Sequence, residues 1–227
     1  MSVEERLWAV RERIERAARA NGRDPAKVAL VAVSKTKSPE VIREAYAAGQ
    51  RAFGENYAQE LAAKSEVLRD LPAIEWHFIG HLQSNKAKIV ARHAHVVHAA
   101  DSEAVVRELG RRASNEARAT PLPVLIEVNV GGEPQKAGAA PSDLAEVIAA
   151  VRAQPALLLR GLMTVPPAGG AATSRRVFET LVSLRNLHGG VGVLPELSMG
   201  MTDDLEIAIA CGATMVRVGS GIFGPRG

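Results

Sequence analysis

The sequence predicts an α/β fold, a single (β/α)8 barrel of the TIM type, on three observations. Eight short apolar runs alternate with seven longer amphipathic stretches, the pattern of parallel strands joined by helical crossovers. No G-x-G-x-x-G follows the first run, which leaves a doubly wound open sheet as the weaker alternative. The 227 residues suit one such barrel, and no linker or repeat divides residues 1–227 into two domains.

The elements follow in order. Val3, Leu7, Val10, Ile14 and Ala17 recur at helical spacing and Asn21-Gly22 closes the stripe, so residues 3–20 form an opening helix. Strands are expected at 28–33, 51–54, 74–79, 95–98, 122–128, 157–162, 194–197 and 214–218. Helices are expected between them at roughly 39–48, 56–68, 84–91, 102–118, 142–153, 173–188 and 203–211, with Ser84, Ser102 and Ser142 as N-caps. Only nine residues follow the last strand, so the N-terminal helix is expected to fill the place of the eighth. Residues 168–172, Ala-Gly-Gly-Ala-Ala, read as a loop rather than a lid.

Composition narrows the function classes. Apolar residues are 47% and charged residues 23% of the chain, ordinary globular usage. Lys and Arg exceed Asp and Glu by 28 to 25, and Arg11, Arg13, Arg16 and Arg19 at helical spacing read as a solvated helix face. Aromatics at 4% are too few for base stacking, so no nucleic-acid partner is expected. The lone Cys211 excludes an internal disulfide. With no apolar leader or long apolar span, no membrane partner and a cytoplasmic location are expected.

Three segments carry candidate chemistry. Alternation in Val31, Val33 and Lys35 puts Lys35 on the inner face at the carboxyl end of the first strand, where barrel enzymes keep reactive groups. A desolvated lysine there can attack an aldehyde to form an imine, although a strand-end lysine reaching solvent fits the same spacing. Lys37 shares the parity but lies further out. The run Val218-Gly219-Ser220-Gly221 breaks a strand into a glycine-rich turn whose N–H groups can cradle a phosphate, or which is simply a tight turn.

Ser198-Met199-Gly200-Met201-Thr202-Asp203 ends the seventh strand at the same mouth, so Ser198 and Gly200 are candidate phosphate contacts. Thr202 or Asp203 reads as a helix N-cap. Asn56 and His77 are able to hydrogen-bond the substituents of a flat ring. His77 and His81 lack a third ligand at recognisable spacing, and no metal is expected.

Five ordered motifs together resemble the pyridoxal phosphate homeostasis protein family, single-domain relatives of the alanine racemase N-terminal barrel. They are Ala32-Val33-Ser34-Lys35-Thr36-Lys37, Phe53-Gly54-Glu55-Asn56-Tyr57, His77-Phe78-Ile79-Gly80-His81-Leu82-Gln83-Ser84-Asn85-Lys86, Leu197-Ser198-Met199-Gly200-Met201 and Val216-Arg217-Val218-Gly219-Ser220-Gly221-Ile222-Phe223-Gly224. The resemblance implies pyridoxal 5′-phosphate (PLP) as a Schiff base on Lys35, with Ser198, Met199, Gly200, Gly219 and Ser220 around the phosphate and Asn56 and His77 beside the ring. It also implies that Arg217 faces the pyridine nitrogen, which strand parity alone leaves open. Thr202 and Ala58 depart from the family's usual serine and larger apolar residue. Lys136, in a family-like loop, is read as a solvated charge rather than a second aldehyde site.

Two functions remain in view: a carrier that buffers PLP or delivers it to apo PLP-dependent enzymes with little or no turnover, and a PLP-dependent racemase. A racemase needs proton donors on both faces of its substrate. The only tyrosines are Tyr46, on the first crossover helix, and Tyr57, after the second strand, and no second domain is read. An imine-forming aldolase would need a further acid or base. The carrier, as a monomer, is the expectation.

Overall fold

The structure is a computed structural model that describes residues 1–224. Eight parallel strands close into a barrel in sequence order. They are β1 (Ala29–Val33), β2 (Ala52–Glu55), β3 (Glu75–Phe78), β4 (Val96–Ala100), β5 (Leu122–Glu127), β6 (Leu157–Met163), β7 (Glu196–Ser198) and β8 (Met215–Val218). Closure occurs where Ala29 to Ala32 of β1 pair in register with Met215 to Val218 of β8.

Side-chain alternation sorts these strands into two layers. Val31, Val96, Leu125, Met163 and Met215 fill the interior as one small cluster. Their neighbours Ala32, Val97, Val124, Leu162 and Val216 face outward into the larger core beneath the helices. Residues two further along each inward row therefore also point into the barrel, which sets the direction of Val33, His98, Glu127 and Arg217.

The helices are α1 (Val3–Ala20), α2 (Pro39–Ala47), α3 (Ala58–Val67), α4 (Ala87–His93), α5 (Glu103–Ala113), α6 (Leu144–Arg152), α7 (Gly170–Leu187), α8 (Leu205–Ala210) and the one-turn α9 (Ser220–Phe223). A reciprocal capping box starts α1, the Ser2 hydroxyl accepting from Glu5 N at 3.1 Å and Glu5 accepting from Ser2 N at 2.7 Å. Leu7, Val10 and Ile14 then bury the stripe seen in the sequence. The helix packs against α8, α9 and α2. Arg13 pairs with Glu206 at 2.7 Å on one side, and Arg11 donates to Ala48 O at 3.0 Å on the other. Among the described residues no helix is long and apolar enough to cross a membrane.

Several boundaries differ from expectation. α3 starts two residues late, which leaves Asn56 and Tyr57 in the loop. Ser102 caps α5 as expected, but α5 stops at Ala113, where the Ser114 hydroxyl donates back to Gly110 O at 2.9 Å. Ser84 and Ser142 are not α-helix caps. They lie in 3₁₀ turns, Ser84–Lys86 and Pro141–Asp143, that precede α4 and α6. α7 begins at Gly170, so Ala171 and Ala172, good helix formers, form its first turn instead of a loop. The strand expected at 194–197 is β7, shifted toward Ser198, and the one expected at 95–98 runs on to Ala100. Alanines have weak strand propensity, and burial on both faces of the sheet overrides it.

Candidate functional site

Lys35 sits half-buried in the two-residue turn that leaves β1. It follows closely on β1, at the carboxyl end of the barrel, on the strand whose Val31 faces the interior. The next residue, Thr36, has φ 63°, a left-handed conformation uncommon for a β-branched side chain. α3 supplies what holds this turn. Glu60 accepts from Thr36 N at 2.8 Å, and Lys64 Nζ donates to Ser34 O at 2.8 Å. Buried Glu55 accepts both from Lys64 Nζ at 2.8 Å and from the Ser34 hydroxyl at 2.6 Å. This polar cluster lies behind the strand, and no sequence periodicity pointed to it.

Arg217 resolves into the interior. Paired in register with Val31, it is 4% exposed, and its guanidinium donates to Ser198 Oγ at 2.7 Å and to Thr164 O at 3.0 Å. Burial lowers its pKa to about 10, which leaves it cationic at neutral pH. The Ser198 hydroxyl, expected at the phosphate, lies fully buried between the Arg217 guanidinium and His98 Nδ1, 2.9 Å away. Met199 likewise buries its side chain in the outer core and donates its backbone N–H to Met215 O at 3.1 Å. The physical reason is alternation on β7, which sends Ser198 inward and Met199 outward, so neither side chain faces the loops at the rim.

His77 also departs from its expected place beside a ring at the mouth. It lies mid-strand on β3, with Nδ1 2.8 Å from His98 Nε2, and lines a cavity at the opposite, amino-terminal end of the barrel. His81 is far more exposed, on the rim, with Nδ1 3.2 Å from Asp101.

The β7 and β8 loops meet through hydroxyls that the sequence assigned elsewhere. Thr202 caps no helix: its Oγ1 is 3.2 Å from Ser220 Oγ and accepts from Gly221 N at 3.4 Å. Asp203 is not the cap either, since Asp204 holds that position and accepts from Met201 N at 2.6 Å. Gly200 has φ 93°, and a Cβ there would stand 2.5 Å from Ala208 Cβ, so only glycine keeps this loop against α8. Gly219 and Ser220 open the one-turn α9, whose Gly221 N–H is the one taken by Thr202 Oγ1.

Asn56 Oδ1 is buried and has no hydrogen-bond partner among the described residues. The β3 loop packs directly upon it, as a Cβ on Gly80 would stand 2.2 Å from Asn56 O. Buried polar atoms in folded proteins are normally paired, so an orphaned acceptor at a barrel mouth fits a ligand donor.

Glu127 points inward from β5, and burial pushes its pKa up to about 7. This ionisable carboxyl was missed in the sequence, and strand parity within 122–128 was the signal that would have found it. Tyr57 is 54% exposed on the rim, whereas Tyr46 lies beneath the Arg51 guanidinium at 4.0 Å. Lys136 is tied down, donating to Pro166 O at 3.1 Å and pairing with Glu133 at 2.5 Å.

Residues 6–227 match the family model described as alanine racemase, N-terminal domain. A pyridoxal phosphate homeostasis protein of Pseudomonas aeruginosa is 47% identical over 226 residues, covering 99% of this chain and 96% of that protein. One from Aquifex aeolicus is 43% identical, covering 100% and 99%. Among solved structures, PipY of Synechococcus elongatus with PLP bound superposes with a TM-score of 0.83 at 37% identity, covering 98% of this chain and all of that one. Alanine racemase of Corynebacterium glutamicum, at 21% identity and a TM-score of 0.67, shares the fold over 97% of this chain and 61% of its own. Near-complete coverage in both directions, at identities well above those that show a fold alone, makes the chain a member of the pyridoxal phosphate homeostasis protein family.

Proposed function

We propose that the protein holds PLP as a Schiff base on Lys35 and serves PLP homeostasis by buffering or delivery to apo-enzymes, with little or no turnover. The observation that carries this reading is a half-buried lysine in the turn that leaves β1, the strand whose Val31 pairs in register with the buried guanidinium of Arg217. In this reading Asn56 Oδ1 accepts a bond beside the ring, and Gly200, Thr202, Gly219 and Ser220 surround the phosphate. Met199 shapes that loop from behind, while Ser198 and His77 act on the ligand only through Arg217.

When bound, PLP supplies an aldehyde for the lysine and a ring that withdraws electrons best when its nitrogen is protonated. A guanidinium facing that nitrogen disfavours the proton, so Arg217 favours holding over carbanion chemistry. The similarity to relatives named for homeostasis, and to a PLP-bound structure, supports the same assignment. The reading includes a cytoplasmic monomer with its mouth open to PLP and client enzymes.

A weak PLP-dependent racemase is the second reading, and Glu127 is what favours it, being an inward group with a pKa of about 7. Absorbance of purified protein with added PLP, before and after borohydride, tests the first step. A band fixed irreversibly in wild type and missing in Lys35→Ala supports the Schiff base, and its absence from wild type removes it. Conversion of D- or L-amino acids by the loaded protein would favour the racemase over the carrier.

A further inference from the structure

Buried cations are costly unless paired, yet the Arg217 guanidinium bonds to a hydroxyl and a carbonyl rather than to a carboxylate. The hydroxyl is the start of a longer chain. Ser198 Oγ is 2.9 Å from His98 Nδ1, His98 Nε2 is 2.8 Å from His77 Nδ1, and His77 Nε2 is 3.6 Å from Glu75 Oε1. Ser198 and His98 are fully buried and His77 is 4% exposed, while the Glu75 side chain is 52% exposed. The chain thus runs from the barrel centre to a cavity of about 300 Å³ at the amino-terminal mouth, lined by Lys27, Ala52, Glu75, His77, Val96 and Met215.

One proton arrangement uses every hydrogen along the chain, since the reverse, with His98 Nδ1 donating to Ser198, would leave the Ser198 hydroxyl hydrogen without an acceptor among the described residues. Arginine donates and never accepts, so Ser198 Oγ accepts from Arg217, and its own hydrogen goes to His98 Nδ1. Burial, His77 and Arg217 hold the His98 pKa well below 6.5, so the ring is neutral and carries its hydrogen on Nε2. That hydrogen is donated to His77 Nδ1, which places the His77 hydrogen on Nε2, on the side of Glu75, whose carboxylate at 3.6 Å lies just beyond hydrogen-bond reach. Every donor points away from Arg217 and toward a carboxylate. Because Arg217 keeps its proton at neutral pH, the chain conducts none from the mouth and acts as an oriented string of dipoles beneath the cation.

We propose that Ser198, His98 and His77 form a one-way hydrogen-bond relay that fixes the Arg217 guanidinium and directs its charge toward Glu75 at the opposite mouth, making His98 a positioning residue for Arg217. Two of the five guanidinium N–H donors are then engaged with Ser198 and Thr164, and three are left for a ligand. Other charges facing the relay are Glu127 and Asp204 around Arg217, Asp101 beside Glu127, and His95 near His77 and Glu75. The relay's bearing on PLP rests on the function proposed above, whereas its proton arrangement does not.

Nitrogen-15 NMR of the histidines in cofactor-free protein tests the arrangement first. The expected result is that His98 and His77 both carry hydrogen on Nε2 and bare Nδ1, with His98 neutral from pH 8 to pH 5. In Ser198→Ala, His98 Nδ1 loses its donor, and its resonance is expected to move. A hydrogen on His98 Nδ1, a His98 midpoint near the ordinary 6.5, or an unmoved resonance in Ser198→Ala overturns the relay. The positioning role is then read in loaded protein. His98→Phe is expected to weaken PLP binding ~10-fold, the effect of one lost hydrogen bond, and to shift the pH profile of the bound absorbance. His98→Asn, which retains an acceptor for Ser198, is expected to restore much of both. Wild-type affinity and pH profile in His98→Phe would overturn the positioning role even with the tautomers as expected. Tautomers as expected in a wild type that binds no PLP would overturn the proposed function and leave the relay standing.

Discussion

Lys64 Nζ donates to the backbone oxygen of Ser34 from 2.8 Å, so a side chain on α3 holds the turn that carries Lys35. The same ammonium pairs with Glu55 at 2.8 Å, a carboxylate with no exposed surface. Removing it by Lys64→Met leaves that charge buried and unpaired, and the expected loss is about 3–5 kcal/mol in urea unfolding. Adding Glu55→Leu is expected to recover most of that stability. PLP retention should stay impaired in the double variant, because the bond to Ser34 O is still missing. Full retention there would show that the clamp does not position Lys35.

Glu127 gives stability a pH dependence of definite sign. Its folded pKa of about 7 lies above the ordinary 4.5, so between those values the unfolded chain releases a proton that the folded protein keeps. Its contribution is therefore fully present below pH 4.5 and falls away as pH rises to about 7. Glu127→Gln is expected to flatten that decline and to melt above wild type at pH 8. Parallel melting curves of the two proteins across the window would show that Glu127 ionises as an ordinary carboxylate.

Gly200→Ala tests the loop after β7. At φ 93° any side chain is strained, and this one would also meet Ala208 at 2.5 Å. A loss of roughly 1–3 kcal/mol in stability is expected, together with weaker PLP binding. A variant as stable as wild type would mean that the loop has room to move off α8.

Thr202 and Ser220 join the two rim loops at 3.2 Å. Thr202→Val keeps the shape and removes the hydroxyl. Affinity for PLP is expected to fall ~10-fold, about one hydrogen bond, while affinity for pyridoxal, which lacks the phosphate, holds steady. Equal losses for both ligands would place Thr202 outside the phosphate contacts.

The repeating strand-helix rhythm, the inward parity of Val31 and the glycine-rich ends of the last two strands were all legible in the sequence, because each depends on local periodicity or on a residue's own backbone freedom. α1 was equally plain, from the spacing of Leu7, Val10 and Ile14. Boundaries such as the end of α5 at Ala113 were not, since a single Ser114 to Gly110 bond decided them.

The site's polar wiring lay beyond the sequence for a different reason. Ser198 is 100 residues from its partner His98, and Lys64 is 30 from Ser34. Thr202 looked like a helix cap until closure of the barrel brought Ser220 beside it. The sequence by itself determined which residues face inward, because alternation along a strand is a property of the chain's own geometry. Only the tertiary structure decided which of those inward groups touch, because closing eight strands into a ring joins residues that no sequence spacing relates.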